Sequence, residues 1–242
     1  MKALRRAAQA AVVAAIVLGM LFAAYAWLRS RPQDLPWTPL DLAQPIGIAT
    51  GGKLTALTRD FAQCRALLDQ AGVRFQPLAA VTEGACGYAD GVELQPGGAR
   101  RIAFRPARLG MACPVAASLA LWEWQVVQPA AERHFGSKVT EFLHLGSYNC
   151  RRMYSRETGP LSEHATADAV DIAGFVLADG RRITLLADWD DAGPAGAFLR
   201  DVRDGACDLF ATTLSPEYNA AHRDHFHLDH ADRGAMRWRV CR

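Results

Sequence analysis

The apolar positions of the chain fall into three rhythms, and each predicts a different kind of element. Over residues 7–28 they are unbroken: "AAQAAVVAAIVLGMLFAAYAWL" holds no charge and only Gln9 as a clearly polar side chain. At about 1.5 Å of rise per residue such a helix reaches ~33 Å, enough for a hydrocarbon core of ~30 Å. The basic "MKALRR" before it predicts a tail that stays in the cytoplasm and a remainder that is exported. Residues 1–28 are therefore read as an inner-membrane anchor, single-pass. The alternative is a signal peptide cleaved at "AYA" (24–26), although the apolar core of such a peptide is usually about 7–15 residues.

The second rhythm is a three- and four-residue step. Leu54, Leu57, Phe61, Cys64, Leu67 and Leu68 follow it, predicting one amphipathic helix that Gly72 stops. "CPVAASLALWEWQVVQPAAERHFG" is helical to about Gln128, where Pro129 ends or kinks it, and Gly136 closes the segment after the proline. "AGAFLRDVRDGACDLF" is another long helix. The third rhythm alternates: "VRFQPL", "GVELQPGGARRIAFRP", "KVTEFLHLGSYNC", "DIAGFVL", "RRITLLADWD" and, as the last strand, "HFHLD" are strand candidates. Between anchor and domain, residues 29–53 are proline-rich and read as an extended spacer. Helices and strands mix without a βαβ rhythm, so the class is α+β, a small antiparallel sheet with flanking helices over residues 54–242. Residues 54–105 read as an elaboration packed on the rest.

Composition then sets the compartment. Cys64, Cys86, Cys113, Cys150, Cys207 and Cys241 are dispersed with no C-x-x-C pair, which removes zinc-ribbon and thioredoxin-like readings. Behind an export signal they read as three disulfides, with neighbours paired as 64–86, 113–150 and 207–241. A net charge of +2 without a basic stripe argues against nucleic acid as a partner.

The chemistry concentrates in "HRDHFHLD", which holds three of the chain's seven histidines. On a strand His225, His227 and Asp229 share one face and Phe226 and Leu228 the other. Catalytic zinc commonly takes three protein ligands and leaves a fourth position open. "SEHATADAVDIAGF" supplies His164 and Asp171, set among small residues. Each of these alone is more often a solvated or hydrogen-bonded side chain, and His134, His144 and His230 are read that way. Two motifs in the right order make the metal reading the stronger one. A copper-handling protein would ask for more Met and Cys ligands than this.

"SEHATADAVD" resembles the Ser-x-His-x-x-Gly-x-Ala-x-Asp pattern of the zinc peptidases around lysostaphin and the D-Ala-D-Ala carboxypeptidases. "HRDHFH" resembles the His-x-x-His-x-His signature of the penicillin-insensitive murein endopeptidases. With "SYNCRR" and the cysteines, the stretch from about residue 60 to 242 looks like the bacterial extensin-like carboxy-terminal domain, its motif core at about 139–242. The resemblance implies a D-Ala-D-Ala metallopeptidase-like fold and Zn²⁺ held by His164, Asp171 and His227. It implies His225 as the base beside the metal, with His222 as accessory and Asp224 as the less favoured base. It places Arg151 and Tyr148 on the substrate side with Ser162, leaving Arg151 and Arg152 hard to separate. Its glycine is Ala167 here, which matters if the position needs positive φ. The implied activity is cleavage of an amide in peptidoglycan stems or crosslinks, by a domain in the periplasm. Zinc lowers the pKa of a bound water to about 7, and a histidine titrating near 6.5 suits the proton transfers. A non-catalytic wall-binding or protein-binding module retaining a structural zinc is the competing expectation.

Overall fold

Helix α1 (Lys2–Ser30) is the apolar run, and none of it is buried against the rest of the protein. Arg29 stacks on Tyr25 and Arg31 on Trp27 at its carboxy-terminal end. The computed structural model describes residues 1–234 and 238–242.

The proline-rich segment is not an extended spacer. Pro32–Asp34 forms a 3-10 turn, and the buried Lys53 ammonium donates to the Pro32 carbonyl (3.1 Å), Gln33 Oε1 (3.3 Å) and Thr38 Oγ1 (2.9 Å). A buried ammonium needs acceptors, and the segment folds back to supply them. Lys53 belongs to α2 (Thr50–Ala56), which a 3-10 turn at Leu57–Arg59 separates from α3 (Phe61–Gln70). The single helix expected here breaks at Asp60, whose carboxylate accepts from Gln63 N (2.9 Å). Aspartate competes for helix amino-terminal N–H groups, and that cap outweighs the apolar periodicity.

Strands β1 (Val73–Pro77), β2 (Val81–Glu83), β3 (Cys86–Tyr88), β4 (Gly91–Gly98), β5 (Ala103–Arg105) and β6 (Gly110–Ala112) come next along the chain. Of these β1, β4 and β6 form a three-stranded antiparallel sheet, and β2 and β3 a hairpin. Helix α4 (Cys113–Trp122) is buried at every residue. Pro129 does not end it: one wide turn, Glu123–Val127, absorbs the misfit and α5 (Gln128–Phe135) continues to Gly136 at φ 60°. Proline is tolerated there because the wide turn shifts the hydrogen-bond register just before it, and the position needs no i−4 bond.

The remaining elements carry the site: β7 (Val139–Gly146), β8 (Ala169–Leu177), β9 (Arg182–Thr184), α6 (Leu185–Asp188), α7 (Pro194–Leu209), β10 (Thr212–Leu214), β11 (Phe226–Asp229) and β12 (Val240–Cys241). "HFHLD" is thus not the last strand. The main sheet has seven strands in the order β12-β10-β11-β8-β7-β5, with β9 also on β8. Its centre is antiparallel, while β5–β7 and β10–β12 are parallel. Trp122, Phe142, Phe175 and Phe198 pack edge-on or tilted between the sheet and α4 and α7, and Trp122 Nε1 donates to the Val202 carbonyl (2.8 Å). One hydrophobic cluster joins Leu68 and Val92 to Phe142 and Leu228, so residues 54–105 are packed on the rest as expected. The class is α+β, with a larger sheet than the alternation suggested.

The disulfides are Cys64–Cys113, Cys86–Cys150 and Cys207–Cys241. Only the last is a pair of neighbours in sequence. α3 lies on α4, which brings Cys64 to Cys113, and the β2–β3 hairpin meets the loop after β7, which brings Cys86 to Cys150.

Candidate metal centre

Two strands and a turn supply the three candidate ligands. Asp171 on β8 and His227 on β11 are paired across the antiparallel ladder. His164 sits on the 3-10 turn Glu163–Thr166 that leads into β8, with Ser162 Oγ accepting from its N–H at the turn's start. Phe226 and Leu228 are fully buried on the other face of β11, so burying them aims His227 at the site.

His164 Nε2, Asp171 Oδ1 and His227 Nδ1 lie 3.1–3.2 Å from one another. Ligands bound tetrahedrally to zinc at about 2.0–2.1 Å stand roughly 3.3 Å apart, so the triangle has the right size. Proton placement makes the same point. His164 Nδ1 lies 2.6 Å from the Ser147 carbonyl, which can only accept, so that nitrogen carries the proton and Nε2 presents a lone pair. His227 Nε2 donates to Asp229 Oδ2 (3.0 Å), leaving Nδ1 bare. Three acceptors then face one another with no hydrogen between them. Such a set asks for a cation.

Without a metal a proton serves instead. Burial opposes charge on His227, but the Asp171 and Asp229 carboxylates overcome it and raise its pKa to about 9. Burial likewise opposes charge on Asp171, but the facing His164 and His227 rings hold its carboxyl below the usual carboxylate range. Asp229 and Ser147 extend the site beyond the residues expected to act in it. The alternation in "HFHLD" signals Asp229; nothing local signals a backbone carbonyl.

One side of the triangle is open. A cleft of about 360 Å³ is lined by Arg151, Tyr154, Ser162, Asp171, His222, His225 and His227, among others. His225 lies just before β11, its Nε2 3.6 Å from Asp171 Oδ1 and its Nδ1 2.8 Å from Asp224 Oδ1. Asp224 therefore orients His225 and leaves its Nε2 toward the cleft, which is a different part from that of a rival base. His222 Nδ1 contacts Asn219 Oδ1 (2.8 Å), and burial together with the neighbouring His225 and His227 lowers its pKa to about 4. It is neutral at pH 7, with Nε2 left to accept.

The two arginines separate. Arg152 donates to the Gly159 carbonyl, whereas Arg151 lines the cleft and its guanidinium makes no hydrogen bond or ion pair among the described residues. Tyr148 turns away from the cleft: its hydroxyl donates to Glu83 (3.1 Å) and its ring meets Tyr88 edge-on. The disulfide at Cys150 pulls this part of the loop toward the β2–β3 hairpin. Of the histidines read as structural, His230 is buried between Thr55 and Ser118, His144 bonds the Pro106 carbonyl and His134 meets Asp201.

A family model described as extensin-like protein C-terminus matches residues 62–242, well over half of the chain. The chain belongs to that family. No curated protein and no solved structure matches it. Within this extensin-like domain Ala167 takes φ 60°, ψ 11° and is buried, with its carbonyl accepting from Ala112 N (2.9 Å). The position where the resemblance expects glycine is thus left-handed. Alanine holds it because the turn is closed by Ala167 N to the His164 carbonyl (3.2 Å) and Asp168 N to the Glu163 carbonyl (3.0 Å).

Proposed function

We propose that the protein is a zinc-dependent hydrolase that cleaves an amide bond in peptidoglycan peptides, of the D,D-endopeptidase or carboxypeptidase type. The observation that carries the reading is three acceptor atoms meeting at 3.1–3.2 Å, two of them on Asp171 and His227 in the wall of an open cleft that also holds His222, His225 and Arg151. A staple buried within the fold would not need that opening.

His164, Asp171 and His227 would hold the ion, and zinc supplies Lewis acidity toward a carbonyl oxygen and toward water. The chain's own residues do the rest. Asp224 fixes the tautomer of His225, so its Nε2 accepts a proton at the cleft and returns it to a leaving amine. Neutral His222 accepts a hydrogen bond beside it. Arg151 binds a carboxylate, which stem peptides carry. Exposed apolar α1 and three disulfides suit a domain outside the cytoplasm, held at the inner membrane on the periplasmic side.

The test is to incubate the full-length protein, purified without chelator, with peptidoglycan fragments and follow new amines by mass spectrometry. Wild type is expected to carry about one zinc and release products. His225→Ala is expected to keep the metal and lose about 10²–10⁴ in rate. Zinc without cleavage in any version would make the domain a binding module.

A further inference from the structure

We propose that the face carrying Trp37 and Ile48 lies in the lipid headgroup layer, so that the domain is docked on the membrane rather than tethered above it. This rests on α1 remaining in place as a membrane span. The two residues are 76% and 78% exposed, the most of any large apolar side chains after α1 among the described residues. Both belong to the segment that directly succeeds the helix.

The path of the chain is what places them. Tyr25 under Arg29 and Trp27 under Arg31 are aromatic and cationic side chains at one helix end, the combination that sits at a membrane–water interface. Pro32, just beyond, is already fixed to the domain, because its carbonyl accepts from the buried Lys53 (3.1 Å). The chain then turns back on itself. Thr38 Oγ1 also donates to the Pro32 carbonyl, which returns Trp37 to the foot of the helix. Ile48 N donates to Asp34 Oδ1 (2.9 Å) and Ala49 N to the Gln33 carbonyl (3.1 Å), which brings Ile48 to the same place. Arg31 alone lies between α1 and this folded segment.

A single exposed tryptophan is ordinary. Two large apolar side chains carried on backbone that folds onto Pro32, Gln33 and Asp34, within four residues of the end of a membrane span, are not placed for water. Arg239 adds the matching charge: its guanidinium donates to the Ile48 carbonyl (3.3 Å), and Trp238 beside it is 54% exposed. Tryptophan and arginine at headgroup depth fit a phospholipid surface, with anionic lipid favoured by Arg29, Arg31 and Arg239.

The experiment uses the full chain in nanodiscs of mixed zwitterionic and anionic lipid. A photo-crosslinking p-benzoyl-phenylalanine replaces Trp37, Ile48, Leu18 or Leu145 in separate proteins, and attached lipid is measured by mass. Leu18 lies within α1, and Leu145 is an exposed apolar residue at the end of β7. Lipid on positions 18, 37 and 48, with at least tenfold less on 145, is the expected result. Lipid on 18 but not on 37 or 48 overturns docking and leaves the anchor standing. No lipid on 18 removes the anchor, and docking with it. Lipid on all four overturns the assignment of this face.

Discussion

Asp171 and His227 face each other across the β8–β11 ladder with ligand atoms 3.1 Å apart, so the backbone pairing of two central strands sets one edge of the candidate metal triangle. Behind it Asp229 holds the His227 ring from the same strand, and the Ser147 carbonyl holds His164. Directly paired side chains have Cβ atoms about 4.5–5.5 Å apart, a spacing that lets an aspartate and a histidine converge without strain.

Removing the partner behind a ligand should weaken the metal without abolishing the site. Asp229→Asn is expected to lower zinc affinity by about 10–100-fold, while Asp171→Ala abolishes stoichiometric binding. Competition against a chromophoric chelator measures both. Unchanged affinity in Asp229→Asn would show that its contact to His227 is incidental.

The arginines give a kinetic split. Arg151→Gln is expected to raise KM by about 10–100-fold through loss of a charged hydrogen bond, with zinc content unchanged. Arg152→Gln and Tyr148→Phe should stay within about twofold, since both side chains bond away from the cleft. Steady-state kinetics on a peptide with a free carboxylate decides this; the opposite ranking would reverse the assignment.

Acidity and metal are linked at His227. Its raised pKa, about 9 against an ordinary 6.5, means that the metal-free fold is favoured by this proton below pH 6.5 and loses that contribution as pH rises to 9. In excess chelator the Tm should therefore fall between pH 6.5 and 9, and with zinc present the fall should shrink. His227→Gln in chelator should remove most of the slope. A flat profile for the chelated wild type counts against the proton bridge.

Asp168 destabilises the fold above neutrality. Burial first, then repulsion from Asp90, raises its pKa to about 7, and its Oδ1 is buried without a partner. The cost of ionising it in the folded state grows progressively from pH 3.8 to 7. Asp168→Asn should stabilise by a few kcal/mol at about pH 8 and by little at about pH 4. Denaturant melts at the two pH values test the sign.

Left-handed Ala167 implies a steep dependence on side-chain shape. Ala167→Gly trades relief of backbone strain against a lost methyl and should stay within about 1 kcal/mol of wild type. Ala167→Val combines a β-branched left-handed residue with overpacking and should cost about 2–4 kcal/mol. Thermal melts separate them.

The strands and the candidate ligands on them are legible in the sequence because burial imposes period two: Phe226 and Leu228 must go inward, so His227 and Asp229 go together. Long helices read well for the same reason. Local pattern does not capture competition. Asp60 caps a new helix within an unbroken apolar rhythm, and Pro129 survives inside a helical run because a wide turn precedes it. Tyr148 stands close to Arg151 in sequence, yet the direction of its side chain is set by Cys86, more than sixty positions earlier. The fold of the proline-rich segment is hidden in a similar way: its acceptors meet Lys53 only after the chain folds back.

The disulfides make the history of the chain matter. Cys64–Cys113 and Cys86–Cys150 interleave along the sequence. A chain that crosses a membrane in sequence order presents Cys64 and then Cys86 to the oxidant before either true partner has arrived. Oxidation by order of arrival joins the wrong two sulfurs, and only thiolate attack on that bond can undo it. Cys207 and Cys241 meet no such rival between them. The yield of native protein then depends on how quickly such early bonds are exchanged.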